Sequence, residues 1–290
     1  MAGTAAPPGS LDAVIIGGGL GGLRAAKFLA DAGRSFVLLE ARSRLGGRIL
    51  SLPAGPGGGA SRFDLGPAWF WPGIQPRMRR LVAELGLQPL PQHDQGFALV
   101  EHSATVAPRR VAPCRQEPAS VRLAGGMASL SDALAARLDP GRILTGHRVV
   151  RIGRCEAGVL VEARTAPGGR AAYAAGAVIL ALPPRLAATS IEFVPPWPDR
   201  AQDGLLAVPT WMAGQAKLVA VYDRPFWREA GLSGAARSLA GPLAETHDAS
   251  APGGPAALFG FVGLSARQRA LLSGTVPSLA TAQLVRLFGS

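Results

Sequence analysis

The sequence predicts an α/β fold, and three observations support this class. The chain has 290 residues, of which 48% are apolar and only 17% are charged, so we expect a sizeable buried core. Short, wholly apolar runs are typical of parallel strands buried on both faces. The first of these runs ends in a glycine-rich turn, and apolar residues at helical spacing follow it. The 38 glycines and 25 prolines indicate many tight connections between elements.

The charged residues do not form a nucleic-acid-binding pattern. The chain carries 30 basic and 19 acidic residues, but the arginines are scattered and no block exceeds a pair. Cys114 and Cys155 form no CxxC motif, and His93 and His102 lack metal-ligand spacing, so we predict no disulfide scaffold and no metal site. No apolar run reaches the roughly eighteen residues of a membrane span, and no secretory leader is visible. We therefore predict a soluble, cytoplasmic protein that does not bind nucleic acid.

The first forty residues predict a strand, a glycine turn, a helix and a second strand. The apolar run 13–16 is the first strand, and the turn after it reads Gly17-Gly18-Gly19-Leu20-Gly21-Gly22. The helix begins at Leu20 and ends at Gly33, a typical left-handed stop. The second strand spans 35–39, and Glu40 follows it directly.

This order matches the Rossmann dinucleotide-binding fingerprint. Gly17 permits the tight turn, Gly19 lets a pyrophosphate approach the backbone, and Gly22 lets the helix pack closely on the strand. The start of the helix offers free N–H groups to the phosphates. Glu40 is placed to accept hydrogen bonds from an adenosine ribose, which disfavours a 2′-phosphate. The fingerprint alone does not separate NAD from FAD, and a chance turn in a glycine-rich chain is the alternative.

The next residues carry a more specific signature. They read Glu40-Ala41-Arg42-Ser43-Arg44-Leu45-Gly46-Gly47-Arg48, which resembles the E-A-R-x-R-x-G-G-R signature of the flavin-containing amine oxidase family. In that family the segment wraps the diphosphate and ribityl region of FAD. The resemblance implies FAD as the cofactor, with Arg42 and Arg48 on the phosphate side and Ala41, Gly46 and Gly47 close to it. A solvated, arginine-rich loop is the alternative.

A second segment resembles the family motif that runs beside the flavin ring. It reads Asp64-Leu65-Gly66-Pro67-Ala68-Trp69, where the family has D-L-G-G-x-aromatic. The resemblance implies that Gly66, Ala68 and Trp69 contact the flavin. Pro67 replaces the second glycine and has no N–H, so a backbone donor that the family offers at this position is absent.

The middle of the chain is predicted to alternate between irregular segments and regular secondary structure. A helix is predicted over 75–85, and 87–120 is predicted to be irregular because it has several prolines and no sustained periodicity. A helix through Leu130, Leu134 and Leu138 follows, and then strands over 143–152, 158–163 and 177–182. By resemblance, Val149 and Ala181 lie beside the cofactor. Ordinary strand core is the alternative for both residues.

Lys217 is the predicted active-site residue. The run QAKLVAVYDRPFWR over 215–228 resembles the family strand that ends in Y-x-x-P-F-W-R, and the family lysine falls on Lys217. In relatives this lysine holds a water against flavin N5 and assists reoxidation by O₂. Only Lys27 and Lys217 are lysines among the 30 basic residues, and a compact ammonium whose pKa shifts on burial suits this role. A structural lysine with a buried stem is the alternative.

The resemblance also predicts domains and a reaction. We expect FAD-binding parts at 11–86 and 121–194, a shortened substrate-domain insert at 87–120, and a substrate-domain part at 195–290. The resemblance stops before the family's C-terminal FAD segment, so we expect a fragment or a reduced site. The implied reaction is hydride transfer from an amine C–H to flavin N5, with O₂ reoxidation to H₂O₂. The alternatives are an FAD desaturase or porphyrinogen-type oxidase acting on C–C bonds, or an inactive flavin-binding remnant.

Overall fold

The computed structural model describes residues 11–55, 61–113, 116–156, 158–166, 168–272 and 274–289, and Cys114 lies outside them. The chain divides into two compact units. The first comprises Met1–Ile49 and Leu130–Trp211, and the second comprises Leu50–Ser129 and Met212–Ser290. These divisions fall at other positions than the boundaries predicted after residues 86, 120 and 194. The predicted boundaries concern which segments bind FAD, and they stay a prediction.

The strands are numbered in chain order. They are β1 (Leu11–Ile16), β2 (Phe36–Leu39), β3 (Ser51–Pro53), β4 (Arg62–Asp64), β5 (Pro89–Pro91), β6 (Phe97–Glu101), β7 (Arg109–Val111), β8 (Val121–Leu123), β9 (Ile143–Leu144), β10 (His147–Cys155), β11 (Gly158–Thr165), β12 (Gly169–Leu180), β13 (Glu192–Val194), β14 (Ala216–Tyr222), β15 (Leu232–Ser238), β16 (Leu243–Asp248) and β17 (Ala256–Val262).

The helices are numbered in the same way. They are α1 (Leu20–Asp31), α2 (Pro76–Glu84), α3 (Ala128–Ala135), α4 (Pro184–Ser190), α5 (Asp199–Ala207), α6 (Phe226–Glu229), α7 (Ala266–Leu271) and α8 (Val276–Phe288), with short 3-10 helices at Pro140–Arg142 and Trp211–Gly214. Among the described helices, none combines the length and the hydropathy needed to cross a membrane.

The first unit is built on a seven-stranded sheet in the order β13-β10-β11-β12-β1-β2-β9. Strand β1 lies between β12 and β2 and is parallel to both. The side chains of β2 are all buried, as expected for an apolar strand covered on both faces. Helix α1 buries Leu23 and Ala26, and Gly33 follows its end with φ +65°. The predicted α/β class and the predicted strand–helix–strand order are therefore confirmed.

The second unit is built on a six-stranded sheet in the order β14-β17-β16-β15-β6-β7. The outer strands are thus β14, which carries Lys217, and the short β7. The core on one face includes Trp227, Leu243 and Leu258, and helix α8 adds Leu284 and Leu287 to it. The remaining strands form two small antiparallel pairs, β3 with β4 and β5 with β8.

Two sequence-based predictions of elements were wrong. The segment 87–120, predicted to be irregular, contains β5, β6 and β7. Strand β6 has five residues, which is too short for a recognisable periodicity. Its partner β15 lies far along the chain, so no local pattern indicated the pairing. The strand predicted over 143–152 is divided into β9 and β10 by a turn at Gly146, whose φ is +70°.

Candidate functional site

The glycine turn of the first unit brings β1 and α1 into close contact. Gly17 has φ +109°, and its N–H donates to the Leu39 carbonyl at 2.8 Å. A Cβ on Gly22 would lie 1.9 Å from the Gly17 carbonyl oxygen, and a Cβ on Gly17 would lie 2.5 Å from the Ala181 carbonyl oxygen. Glycine is therefore required at both positions by the backbone alone.

The other side of the same turn is open. A Cβ on Gly19 would meet no atom nearer than 3.8 Å, and one on Gly21 would meet none within 4 Å. Gly19 is the N-cap of α1 and provides no capping side chain. The N–H groups at the start of the helix are therefore left without a capping side chain. An open glycine cradle at a helix N-terminus that has no capping side chain fits the pyrophosphate of a dinucleotide.

Glu40 is buried directly beside this turn. Its Oε2 accepts the Gly18 N–H at 2.7 Å, and its Oε1 accepts the Arg42 N–H at 2.9 Å. A carboxylate can accept about four hydrogen bonds, so acceptor positions remain for the hydroxyl groups of a ribose. Glu40 thus connects the glycine turn with the arginine-rich segment that follows β2.

The segment with the second pair of glycines lies against the first turn. The Gly46 N–H donates to the Gly18 carbonyl at 2.8 Å, and a Cβ on Gly47 would lie 3.1 Å from the Cα of Gly19. Arg44 maintains this loop, because its guanidinium donates to the carbonyls of Gly47 at 2.9 Å and Ile49 at 3.1 Å. Arg44 was not predicted as a site residue.

The other predicted residues of the first unit differ in their surroundings. Arg42 and Arg48 are exposed, as is Ala41, and Arg42 donates to the Gly47 carbonyl at 3.1 Å. Ala181 directly follows β12, and its N–H donates to the Ile16 carbonyl at 2.8 Å. Val149 is buried, and its side chain packs among the other apolar side chains of the core of this unit. Contacts of these residues with FAD stay a prediction.

Lys217, in the second unit, turns its ammonium group toward backbone carbonyls and aromatic rings. Its Nζ donates to the carbonyl oxygens of Asp64 at 3.1 Å and Gly66 at 2.7 Å. The same nitrogen lies 4.6 Å from the ring centre of Phe259 and 5.6 Å from that of Phe261. Burial lowers the pKa of Lys217 to about 8, and the nearby charge of Asp64 partly opposes this shift. The lysine is therefore held by the segment that resembles the flavin-adjacent motif.

The predicted residues of that segment have distinct surroundings. Ala68 is buried, Pro67 is exposed, and Gly66 contributes its carbonyl to Lys217. Trp69 packs edge-on against the ring of Phe259 at 5.1 Å between ring centres. The structure thus brings Gly66, Ala68, Trp69 and Lys217 together within the second unit.

Further side chains lie on the same face of the six-stranded sheet as Lys217. Across the strands Lys217 is opposite Phe261, which is opposite Glu245, and His247 is opposite Phe259. The His247 Nε2 and the Glu245 Oε1 are 2.7 Å apart, and this hydrogen bond lowers the pKa of Glu245 despite its partial burial. Glu245 and His247 were not predicted. Their spacing of two residues was the available signal, since residues i and i+2 share one face of a strand.

Trp69 is oriented by the segment predicted to be irregular. Its ring is edge-on to His247, with 4.7 Å between ring centres, and its Nε1 donates to the Gln92 Oε1 at 2.7 Å. The amide nitrogen of Gln92 donates in turn to the Asp248 carbonyl at 2.8 Å. Gln92 therefore fixes Trp69 against the β16 strand, and no sequence motif indicated it.

His93 is more enclosed than a solvated loop residue. Its Nε2 is buried without a hydrogen-bond partner in the described residues, and burial lowers its pKa. His102 is exposed, as predicted. Within the described part of the chain, no three His, Cys, Asp or Glu side chains gather as a metal-ligand group.

Comparisons with known proteins show which families and proteins this chain resembles. Residues 101–290 match the family described as flavin containing amine oxidoreductase, and residues 15–85 match the NAD(P)-binding Rossmann-like domain. AofH of Mycobacterium tuberculosis, whose name describes it as a flavin-containing monoamine oxidase, is 28% identical over a 359-residue alignment. That alignment covers 88% of this chain and 75% of AofH.

Two further proteins are similar in sequence or structure. A carotenoid 3,4-desaturase of Haloarcula japonica is 40% identical over 84 residues, which are 29% of this chain and 16% of the desaturase. The structure of a cyclohexylamine oxidase from Brevibacterium oxydans is 21% identical and has a TM-score of 0.80, covering 97% of this chain and 82% of that chain. The match to the Rossmann-like domain and the similarity to the oxidase structure confirm the predicted Rossmann-type fold.

Proposed function

Because this chain belongs to the flavin-containing amine oxidoreductase family, whose cofactor is FAD, we propose that it oxidises small-molecule amines. The single observation that carries this proposal is the position of the Lys217 ammonium. It is one of two lysines in the chain, and its ammonium is held by the carbonyls of Asp64 and Gly66, within the segment that resembles the flavin-adjacent motif.

The residues of the first unit would hold the adenosine and diphosphate parts of FAD. The start of α1, which has no capping side chain, and the open space at Gly19 and Gly21 would receive the pyrophosphate. The exposed guanidinium groups of Arg42 and Arg48 would balance its charge. Glu40 would accept hydrogen bonds from the ribose hydroxyl groups.

When bound, FAD would supply a hydride acceptor at N5 for the C–H beside a neutral amine, and would allow two electrons and two protons to pass on to O₂, which gives H₂O₂. Lys217 would hold an ordered water with its remaining N–H. Trp69, Phe259 and Phe261 would exclude bulk water on the Lys217 side, and Glu245 with His247 would line the same sheet face.

A second candidate is desaturation of an apolar substrate at a C–C bond. The match to a carotenoid 3,4-desaturase favours it, although that match covers 29% of this chain. The products separate the two reactions, because amine oxidation releases an aldehyde or ketone and an amine or ammonia, whereas desaturation releases neither.

The first test is the visible spectrum of the purified chain, before and after anaerobic mixing with primary, secondary and polyamine substrates. Bleaching of a bound flavin by an amine, followed by H₂O₂ formation on admission of air, supports the proposal. A bound flavin that stays oxidised with every amine argues for the desaturase candidate. A colourless protein that does not take up added FAD would contradict both.

A further inference from the structure

We propose that Asp64 is a positioning residue for Lys217, because its carboxylate fixes the turn whose two carbonyl oxygens receive the Lys217 ammonium. The motif resemblance concerns the backbone of this segment and gives the Asp64 side chain no role. The inference rests on the proposed function only in that Lys217 is taken to act in the reaction. The contacts between the two residues stand without it.

The turn that receives Lys217 is anchored through its own backbone. The carbonyls of Asp64 and Gly66, on either side of Leu65, both accept from the same Nζ. On the opposite side, the N–H groups of Leu65 and Gly66 both donate to the Leu50 carbonyl, at 2.9 and 3.1 Å. The two acceptors for the ammonium are thus held at one end of the β3–β4 hairpin.

The Asp64 carboxylate connects this hairpin to the segment that enters α3. Its Oδ1 accepts a hydrogen bond from the Ser51 hydroxyl and another from the Met127 N–H at 2.9 Å. The Ser51 Oγ accepts the Ala128 N–H at 3.0 Å. At Gly126, with φ +77°, a Cβ would lie 3.0 Å from the Asp64 Oδ1. The close approach therefore requires glycine there, and three segments meet at one carboxylate.

The charges around Asp64 and Lys217 oppose the effect of burial on both pKa values. Burial raises the pKa of Asp64, while the hydrogen bonds from Ser51 and Met127 and the charges of Lys217 and Arg122 oppose that rise. The Asp64 charge in turn opposes the burial that lowers the pKa of Lys217. On the sheet face itself, the nearest carboxylate in register is Glu245, which lies beyond Phe261. The Asp64 charge therefore favours the Lys217 ammonium against the effect of burial.

The test uses the fact that the chain has two lysines. Lysine labelled with ¹³C at Cε gives two side-chain NMR signals in the FAD-loaded protein, and the Lys217→Met variant identifies which signal belongs to Lys217. Asp64→Asn keeps an oxygen that accepts from Ser51 and Met127 but removes the charge. We expect it to lower the pKa of Lys217 by about one unit.

Asp12 provides the matched control. Its carboxylate also accepts from a serine hydroxyl, Ser35 Oγ at 2.7 Å, and from a backbone N–H, that of Ser35 at 2.6 Å, but it belongs to β1 of the first unit. We expect Asp12→Asn to leave the Lys217 titration unchanged. An unchanged Lys217 pKa in folded Asp64→Asn, or an equal shift in Asp12→Asn, would overturn the inference.

A second variant covers the case in which Asp64→Asn does not fold. Ser51→Ala keeps the charge but removes one hydrogen bond that fixes the carboxylate, so the turn should loosen and the Lys217 pKa should shift by less than in Asp64→Asn. An unchanged Lys217 pKa in this variant overturns the positioning role. The titration needs no turnover. If the chain oxidises no amine, the proposed function fails while the lysine titration still decides the role of Asp64.

Discussion

At the scale of single residues, Lys217 carries the sharpest prediction. Replacing it by Met removes the ammonium and keeps a stem of similar length. We expect flavin reoxidation by O₂ to slow by about 100-fold, the typical effect of losing one electrostatic donor at a reacting centre. Stopped-flow mixing of the reduced protein with O₂ measures the rate.

The other lysine supplies the control for this variant. Lys27 pairs with Asp31 on α1, and Lys27→Met should leave the reoxidation rate unchanged. A Lys217→Met protein that reoxidises as fast as the Lys27→Met protein would exclude the proposed role.

The pKa of Lys217 predicts opposite pH dependences for the two halves of the reaction. The ammonium is lost as pH rises through about 8, so reoxidation should slow above that pH. Flavin reduction should instead become faster with pH, because only the neutral amine of the substrate reacts. Separate stopped-flow measurements of each half-reaction between pH 6 and pH 10 test this, and a reduction rate independent of pH would contradict amine oxidation.

At the scale of elements, the β1–α1 connection distinguishes a structural glycine from a ligand-facing one. Gly22→Ala places a Cβ 1.9 Å from the Gly17 carbonyl oxygen, so we expect loss of the folded first unit. Gly19→Ala meets no atom nearer than 3.8 Å, so the protein should fold and yet bind FAD at least tenfold more weakly. Circular dichroism and flavin titration measure the two effects. A Gly19→Ala protein with undiminished FAD affinity would place the pyrophosphate elsewhere.

Helix α8 is tied to strand β6 by a buried ion pair. The Arg286 guanidinium donates to Glu101, whose side chain is fully buried, and Ser238 donates to the same carboxylate. Arg286→Ala leaves this charge unpaired and should lower the free energy of unfolding by about 3 kcal/mol. The exposed pair Arg224–Glu229 is the control, and Arg224→Ala should change it by less than about 1 kcal/mol. Urea denaturation at pH 7 compares the two.

The same pair predicts sensitivity to acid. Burial alone would raise the pKa of Glu101, but the hydrogen bonds from Arg286 and Ser238 outweigh it and lower the pKa below 4.5. The stabilisation is therefore present above pH 4.5 and is lost as pH falls through the lowered pKa. Urea denaturation from pH 7 to pH 3 should show this loss in the wild type and a smaller one in Glu101→Gln.

At the scale of the whole molecule, local signals predicted the first unit better than the second. The strand, glycine turn and helix of the first forty residues are neighbours in sequence, so their contacts follow from a short pattern. The six-stranded sheet joins β6 to β15 and β14 to β17, which lie far apart in the chain. Lys217 was found by resemblance, but its acceptors at Asp64 and Gly66 lie 153 and 151 positions away, so no local pattern could indicate them.

The outer position of β14 affects how copies of this chain meet one another. Seven residues of β14, mostly apolar, pair with β17 on one side, and no described strand pairs with the other. The opposite outer strand, β7, is three residues long and carries exposed arginines, which discourage pairing. At high concentration we expect self-association to begin along β14. Such association would bury the Lys217 strand. Aggregation and loss of activity should therefore begin at the same protein concentration.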